Sequence, residues 1–224
     1  MTLWLSWSSG KDSAWTLHEL RAAGVEVTAL FTTINEATDR VAMHGVRRSL
    51  LEAQAAAAGL PLHILPLPWP CTNADYETIM GRFVADARAG GVTRMAFGDL
   101  YLEDIRRYRE ANLSGTGIEP VFPLWGRPTR ALATDMIGSG LKAIVTAVDL
   151  SRIPAAFAGR RFDEDMVDAL PDAADACGEN GEFHTLVIAG PMFARPLAVE
   201  LGEVVERDGI AFADVRPADA AVDA

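Results

Sequence analysis

The chain of 224 residues is half hydrophobic, and 23% of its residues are charged, which suits one sizeable core with a small second lobe and excludes a disordered chain. The formal net charge of −11 disfavours nucleic-acid binding through a general basic field. Two cysteines are too few for a disulfide framework, and no apolar run approaches the roughly 20 residues of a membrane span. We therefore expect a cytoplasmic protein that does not bind a membrane.

Strand and helix patterns alternate along the first hundred residues. Short apolar or β-branched runs, each typical of a strand, are separated by longer segments in which apolar residues recur at helical spacing. The predicted strands are 3–7, 25–33, 60–68 and 92–100, and the predicted helices are 12–24, 44–59 and 73–91. This alternation predicts a parallel sheet with right-handed crossovers, and therefore a Rossmann-like α/β fold with helices on both faces of the sheet.

The second half of the chain is less regular and predicts a smaller α+β lobe. The expected elements are strands at 118–125 and 141–150, helices at 127–140 and near 154–170, a polar loop at 177–185, and a strand and a hairpin at 185–215. Asp208-Gly209 is a favourable two-residue hairpin turn. We place a domain boundary near residue 100, which predicts domains at 1–100 and 101–216 and a disordered tail at 217–224.

Residues 8–13, Ser-Ser-Gly-Lys-Asp-Ser, lie between the first predicted strand and the first predicted helix. Backbone N–H groups of such a loop can face an anion, the helix N-terminus adds partial positive charge, and Lys11 adds a full charge. The Walker pattern is absent, because Leu5 and Asp12 stand where it requires Gly and Ser or Thr. The position after strand one predicts phosphate binding, and an ordinary helix start with a solvated lysine is the alternative.

These residues resemble the S-G-G-K-D-S loop of the N-type ATP pyrophosphatases, the PP-loop superfamily, which cleave ATP between the α and β phosphates. Ser9 stands where the family usually has its first glycine, and we expect little loss unless this position needs a positive φ. The segments 44–61, 97–110 and 177–185 resemble the diphthine–ammonia ligase-like branch of that superfamily. The run 179–185, ENGEFHT, is similar to bacterial members, some of which are linked to cobalamin metabolism.

The resemblance implies an AMP-forming ligase that uses ATP and Mg²⁺ to adenylate a carboxylate, followed by amidation with ammonia. The 1–100 domain would bind ATP and the 101–216 lobe would bind the substrate. We predict ATP-binding roles for Ser8, Ser9, Gly10, Lys11, Asp12, Ser13 and His44, the last at the start of the second helix. We predict catalytic roles for Lys11, Asp12, Glu182 and His184, with Asp12 also a Mg²⁺ ligand or a helix cap.

Two polar segments are candidates for substrate binding. Asp99 ends the fourth strand, where open α/β sheets bind ligands, and Arg106 and Arg109 share a helix face that suits a carboxylate or phosphate. Pairing of these arginines with Glu103 and Glu110 at the surface is the alternative. The GENGEFH loop adds Glu179 and Asn180 as substrate ligands, and either Glu182 or His184 as a general base.

Several alternatives for function stay open at this level. The acceptor is a small molecule or a protein side chain with a carboxylate, and a homodimer is an expectation from the resemblance alone. A nucleotide α-phosphate hydrolase or ligase of bacterial cobalamin metabolism is one alternative, and a non-catalytic adenine-nucleotide sensor is another. Sulfur insertion into tRNA through Cys71 and Cys177 is disfavoured for two reasons. The net charge is acidic, and free cysteines are most often small buried hydrophobes.

Overall fold

The computed structural model describes residues 2–218, which form two sheets. The first sheet contains β1 (Thr2–Ser6), β2 (Ala29–Asn35), β3 (Arg40–Val41), β4 (Leu62–Leu67), β5 (Val92–Ala96) and β6 (Glu119–Val121). Five of these strands are parallel in the order β4-β2-β1-β5-β6, and β3 pairs antiparallel with the end of β2. The predicted Rossmann-like parallel sheet is confirmed.

The order of the strands makes the carboxyl end of β1 the topological switch point of the sheet. The chain runs from β1 to β2 and β4 on one side and then crosses to β5 on the other side. Ligands of open α/β sheets bind in the crevice at such a point. The loop of residues 7–10, which follows β1, opens at this crevice.

Within residues 2–218, six α-helices connect and cover the sheets. They are α1 (Lys11–Ala22), α2 (Arg48–Ala58), α3 (Asn73–Ala89), α4 (Glu103–Leu113), α5 (Thr129–Gly138) and α6 (Glu164–Asp168). The helix expected near 154–170 is only a 3-10 turn at Ala155–Phe157 and the five-residue α6. His44 does not start the second helix as predicted, because Met43 and Gly45 have φ values of 62° and 66°, which a right-handed helix does not allow.

The second sheet is antiparallel and has the strand order β8-β7-β10-β9. Its strands are β7 (Lys142–Asp149), β8 (Phe183–Ala189), β9 (Val199–Arg207) and β10 (Ile210–Pro217). The predicted hairpin is present, and both turn residues, Asp208 and Gly209, have the positive φ of a type I′ turn. The loop predicted at 177–185 was too long, since its last three residues belong to β8.

One hydrophobic core connects the two sheets. A large cluster of buried side chains contains Leu5 of β1, Leu17 of α1, Leu51 of α2 and Val187 of β8. A second and smaller cluster lies under α3 and α4, where Phe31 and Met95 are buried. The first sheet continues beyond residue 100 through β6, and the domain boundary near residue 100 stays a prediction.

An ionic contact fastens the second sheet to the segment before α2. Asp214 of β10 accepts hydrogen bonds from Arg47, at 3.0 and 2.8 Å, and from Arg40, at 2.9 Å. The bond from Arg47 and the nearby charges hold the pKa of Asp214 below its usual value.

The helices found among residues 2–218 are too short or too polar to span a membrane. Of the predicted tail, residues 219–224 lie outside the described part of the chain.

Candidate active site

The loop between β1 and α1 has an unusual backbone conformation at Ser9. Its φ is 71°, and the residue is fully buried. Glycine adopts this left-handed conformation without the steric penalty that a Cβ incurs. From the sequence alone we expect serine to cost little here unless the position needs a positive φ. The structure shows that it does, so we expect Ser9 to carry a steric penalty.

Strand β8 of the second sheet holds this loop from the side. The backbone N–H of Lys11 donates to the hydroxyl of Thr185 at 3.0 Å, and the N–H of Val187 donates to the carbonyl of Ser9 at 3.0 Å. The next residue of the loop, Gly10, has space for hydrogen only, because a Cβ there would lie 2.8 Å from the ring of His44. The loop is thus positioned by residues from the other half of the chain.

Gln54 of α2 is a second brace for the loop that the sequence did not reveal. Its fully buried amide donates to the carbonyls of Ser9, at 3.0 Å, and Val187, at 2.7 Å. Its oxygen accepts a hydrogen bond from the indole of Trp7 at 2.9 Å. A lone glutamine in an alanine-rich helix was the available signal, since a buried amide needs several partners.

Three backbone donors of the loop and the first helical turn are free. Within residues 2–218 the N–H groups of Ser9, Asp12 and Ser13 have no hydrogen-bond partner. Unpaired N–H groups at a helix N-terminus form a site for an anion. The predicted phosphate-binding segment therefore has the donors that a phosphate requires.

Lys11 is buried beside these donors, with 2% of its surface exposed. Its ammonium group pairs with Asp12 at 2.9 Å and donates to the carbonyl of Cys177. It also lies over the rings of Phe162 and Phe183, at 5.7 and 5.3 Å from the ring centres. Burial, the largest effect, acts to lower the pKa of Lys11, but the charge and hydrogen bond of Asp12 together with the charges of Cys177 and Glu179 raise it, so the lysine is cationic at neutral pH.

Asp12 is the more accessible member of this pair, with 27% of its side chain exposed. Burial raises the pKa of its carboxyl group, and the neighbouring Lys11 opposes this rise. Within residues 2–218 no group of three or more His, Cys, Asp and Glu side chains could hold a metal ion. Asp12 is thus a single carboxylate at the loop rather than part of a preformed protein cage, and its role as a Mg²⁺ ligand stays a prediction.

His44 and His184 form a pair of imidazoles beside the loop. Their ring centres are 4.5 Å apart, and Nδ1 of His44 lies 3.3 Å from the carbonyl oxygen of Thr185. Burial and the proximity of His184 hold the pKa of His44 well below its usual value. Burial and the charge of Lys11 lower the pKa of His184 to about 4. Both rings are therefore neutral at physiological pH.

The polar loop 177–182, which precedes β8 of the second sheet, contacts the segment that follows β5 of the first sheet. Glu179 accepts hydrogen bonds from the backbone N–H groups of Leu100, at 2.7 Å, and Tyr101, at 3.4 Å. Burial raises the pKa of Glu179 to about 7, although these hydrogen bonds and Lys11 act in the opposite direction. Glu179 is therefore a carboxyl group that titrates near neutrality.

Glu182 organises the same loop from inside, since it is only 1% exposed. Its carboxylate accepts from the backbone N–H of Asp175 and from both the backbone and the side-chain amide of Asn180, each at 3.0 Å. Asp175, which sequence reasoning missed, accepts from the N–H groups of Cys177 and Glu179 at 2.9 and 3.2 Å. These bonds hold the Glu182 side chain inside the loop, and the catalytic roles of Glu182 and His184 stay predictions.

The two arginines of α4 that were predicted to bind substrate each have an acidic and an aromatic partner, and their role in substrate binding stays a prediction. Arg106 pairs with Glu110 at 2.8 Å and lies over the ring of Trp125. Arg109 pairs with Asp99 at 3.4 Å and lies over the ring of Phe97. Each arginine thus has its own acidic partner, and for Arg106 this is one of the two partners considered in the alternative.

Gly98, which precedes Asp99, lies against the first turn of α1. A Cβ at Gly98 would lie 3.0 Å from the carbonyl carbon of Asp12, so a larger residue would force this segment after β5 to shift away from α1.

The two cysteines are both free thiols. Cys177 is buried with its thiol 3.3 Å from the carbonyl of Thr129, and burial raises its pKa, which makes it an unreactive core residue.

Sequence comparisons assign both halves of the chain. Residues 1–118 match the diphthamide synthase N-terminal domain, and residues 128–216 match the diphthamide synthase C-terminal domain. The chain belongs to the diphthamide synthase family. The predicted PP-loop family and its diphthine–ammonia ligase-like branch are thereby confirmed.

Curated relatives are similar to this chain over most of its length. Proteins named diphthine–ammonia ligase from Bos taurus and Homo sapiens are 26% and 25% identical, and each alignment covers 93% of this chain and 86% of the relative. The Danio rerio protein of the same name is 25% identical, with 93% and 90% covered. The ligase class predicted from the resemblance is the class that these names give.

We predict that Ser9→Gly stabilises the protein by about 0.5–1 kcal/mol, because glycine removes the penalty of the left-handed conformation. Chemical denaturation at equilibrium measures the change. Ser8→Gly is the matched control, since Ser8 does not have a positive φ and should lose stability. A loss of stability in Ser9→Gly would show that the hydroxyl contact with the carbonyl of Ser8 outweighs the backbone penalty.

Proposed function

We propose that this chain is an ATP-dependent ligase that cleaves ATP to AMP and pyrophosphate and joins ammonia to a carboxylate. The observation that carries the proposal is the set of free N–H donors of Ser9, Asp12 and Ser13 around a cationic lysine at the switch point of the sheet. Membership of the diphthamide synthase family and the names of its relatives support the ligase class.

The first step requires that the site accept the negative charge of the departing pyrophosphate. A carboxylate oxygen of the acceptor attacks the α phosphorus, the bond between that phosphorus and the bridging oxygen breaks, and pyrophosphate leaves with the electron pair. The free N–H groups and Lys11 face this charge, and their fixed positions stabilise it without reorganisation. Lys11 would release Asp12 and contact the phosphates instead, because no other lysine is available at this site.

Asp12 is the residue that fits a Mg²⁺ ion. Its carboxylate is partly exposed at the loop, and Mg²⁺ is usually held by one or two carboxylates together with substrate phosphates and water. When bound, the ion would neutralise phosphate charge. Transfer of Lys11 to the phosphates would leave Asp12 free for this contact.

The second step needs a group that removes a proton. Ammonia attacks the acyl carbon of the adenylate, the bond to the AMP oxygen breaks, and the nitrogen loses a proton to give the amide. A base with a pKa close to the working pH is the most effective, and Glu179 has such a pKa beside Lys11 and Asp12. His184 is a weaker base, and Glu182 is occupied by the loop.

The acceptor is the least defined part of the proposal. The relatives are named for diphthine, and a diphthine-like carboxylate of a protein side chain is one candidate. The alternative is a carboxylate of bacterial cofactor metabolism, for which the ENGEFHT run is the supporting feature. A protein that only senses nucleotides is disfavoured, because binding ATP does not require a carboxyl group with a pKa of about 7, such as Glu179, at the same site.

We predict that Lys11→Met weakens ATP binding by about 10- to 100-fold, because one charge-assisted contact with the phosphates is lost. Methionine keeps most of the side-chain volume in the buried position. The chain has only one other lysine, the exposed Lys142, so Lys142→Met is the matched control. Isothermal titration with a non-cleavable ATP analogue measures the affinity, and circular dichroism checks the fold. Equal affinity in the two variants would contradict the assignment of the loop.

We predict that ligase activity rises with pH through about 7 and that Glu179→Gln removes this rise together with most of the turnover. The base is the ionised carboxylate, so its raised pKa leaves it inactive at lower pH. Glutamine still accepts the two backbone hydrogen bonds, and ATP affinity should not change. The assay must hold free ammonia constant, with the exposed Glu200→Gln as control. An unchanged pH profile in Glu179→Gln would exclude this carboxylate as the base.

A further inference from the structure

A groove between α3 and α4 is not used by any step described above. It has a volume of about 110 Å³. It is lined by Phe31 of β2, by Met95 of β5, by Phe97 directly after β5, and by residues of the two helices. The groove lies over the smaller hydrophobic cluster, on the face of the sheet where α3 buries only Val84 and Ala87.

A glycine in the middle of α3 leaves this groove open. Gly81 borders the groove, on the helix face that also carries Glu77, Met80 and Val84. A Cβ at Gly81 would meet no atom within 4 Å, so packing inside the protein does not explain the glycine. Glycine in a helix interior costs about 1 kcal/mol relative to alanine. A ligand that occupies the space beside Gly81 would account for a residue that is otherwise only destabilising.

Arg109 is the cationic side chain that lines the groove. It is 28% exposed, its Nε donates to Asp99 at 3.4 Å, and it also interacts with the hydroxyl of Tyr76 on the facing helix. The guanidinium carbon of Arg109 lies 4.9 Å from the centre of the Phe97 ring, which also lines the groove. Glu77 on the facing helix is exposed to solvent, so its charge is better screened than that of Arg109. The groove therefore combines an apolar lining with a guanidinium whose terminal nitrogens can bind an anion.

The groove is continuous with the candidate active site through three consecutive residues. Phe97 lines the groove, Gly98 contacts the backbone of Asp12, and Asp99 holds Arg109. The groove and the contact with Asp12 are therefore formed by neighbouring residues of the segment that follows β5.

We propose that this groove binds the non-reacting part of the acceptor, an apolar group with a negatively charged group that pairs with Arg109. This inference rests on the proposed function, because it assigns a place to the acceptor of that reaction. At about 110 Å³ the groove is smaller than a cavity of about 150 Å³ that holds benzene, so it suits an apolar group no larger than one ring. The acceptor is thus amphipathic rather than uniformly polar.

The test uses 3-phenylpropionate as the probe and its neutral amide as the comparison. Binding to the full-length protein is measured by isothermal titration and by saturation-transfer NMR, with and without α,β-methylene-ATP. Gly81→Leu places a side chain in the groove, and Gly138→Leu is the matched control, because Gly138 is another exposed helical glycine with no atom within 4 Å of its Cβ position. Arg109→Gln tests the charge.

We expect Gly81→Leu to weaken probe binding at least tenfold, while Gly138→Leu binds as the parent protein does. To the parent protein, the neutral amide should bind several-fold more weakly than 3-phenylpropionate. To Arg109→Gln, the two compounds should bind equally. Probe binding that survives Gly81→Leu, or no probe binding by the parent, would overturn the proposal. Displacement of the probe by α,β-methylene-ATP would also overturn it, since the groove would then belong to the nucleotide. If the protein does not bind α,β-methylene-ATP, this result would count against the proposed function alone. The proposal about the groove depends on the binding of 3-phenylpropionate.

Discussion

The attachment of strand β8 to the loop 8–11 is the contact on which the site depends. Thr185 and Val187 bond directly to this loop, and the buried amide of Gln54 connects it to both β8 and α2. Without these bonds the carbonyl of Ser9 and the N–H of Lys11 would have no partners in a buried setting, which is costly. The C-terminal sheet therefore completes the site of the first sheet, and neither sheet alone presents both the anion donors and the polar loop 177–182.

The same attachment explains the electrostatics of the site. It brings the carbonyl of Cys177 and the carboxyl group of Glu179 close to Lys11, in a protein with a net charge of −11. A single buried cation then lies among acidic groups and neutral imidazoles, with Asp12 as its direct partner. Such a cation is available for the phosphates of a nucleotide, because their charge exceeds that of one carboxylate.

The sequence predicted the sheet and the position of the anion-binding segment well, because periodic patterns and a strand–loop–helix junction are local features. It did not reveal Gln54 or Asp175, whose roles depend on partners far along the chain or on the shape of a loop. It placed His44 in a helix, because neither the two-residue β3 nor the positive φ of Met43 leaves a local signal. It offered Glu110 of the same helix as a partner of Arg106, but it did not reveal that Arg109 pairs with Asp99 or that the rings of Trp125 and Phe97 lie against the two arginines.

The identity of the bond that is broken in ATP tests the central claim most directly. The purified protein is incubated with ATP, Mg²⁺, ammonia and a panel of carboxylate acceptors, and the nucleotide products are separated by ion-exchange chromatography. The account predicts AMP and pyrophosphate in equal amounts, formed only with an acceptor, because the proposed reaction breaks the bond at the α phosphorus and the free N–H groups of the loop would hold the departing pyrophosphate. ADP and inorganic phosphate as the products would contradict it.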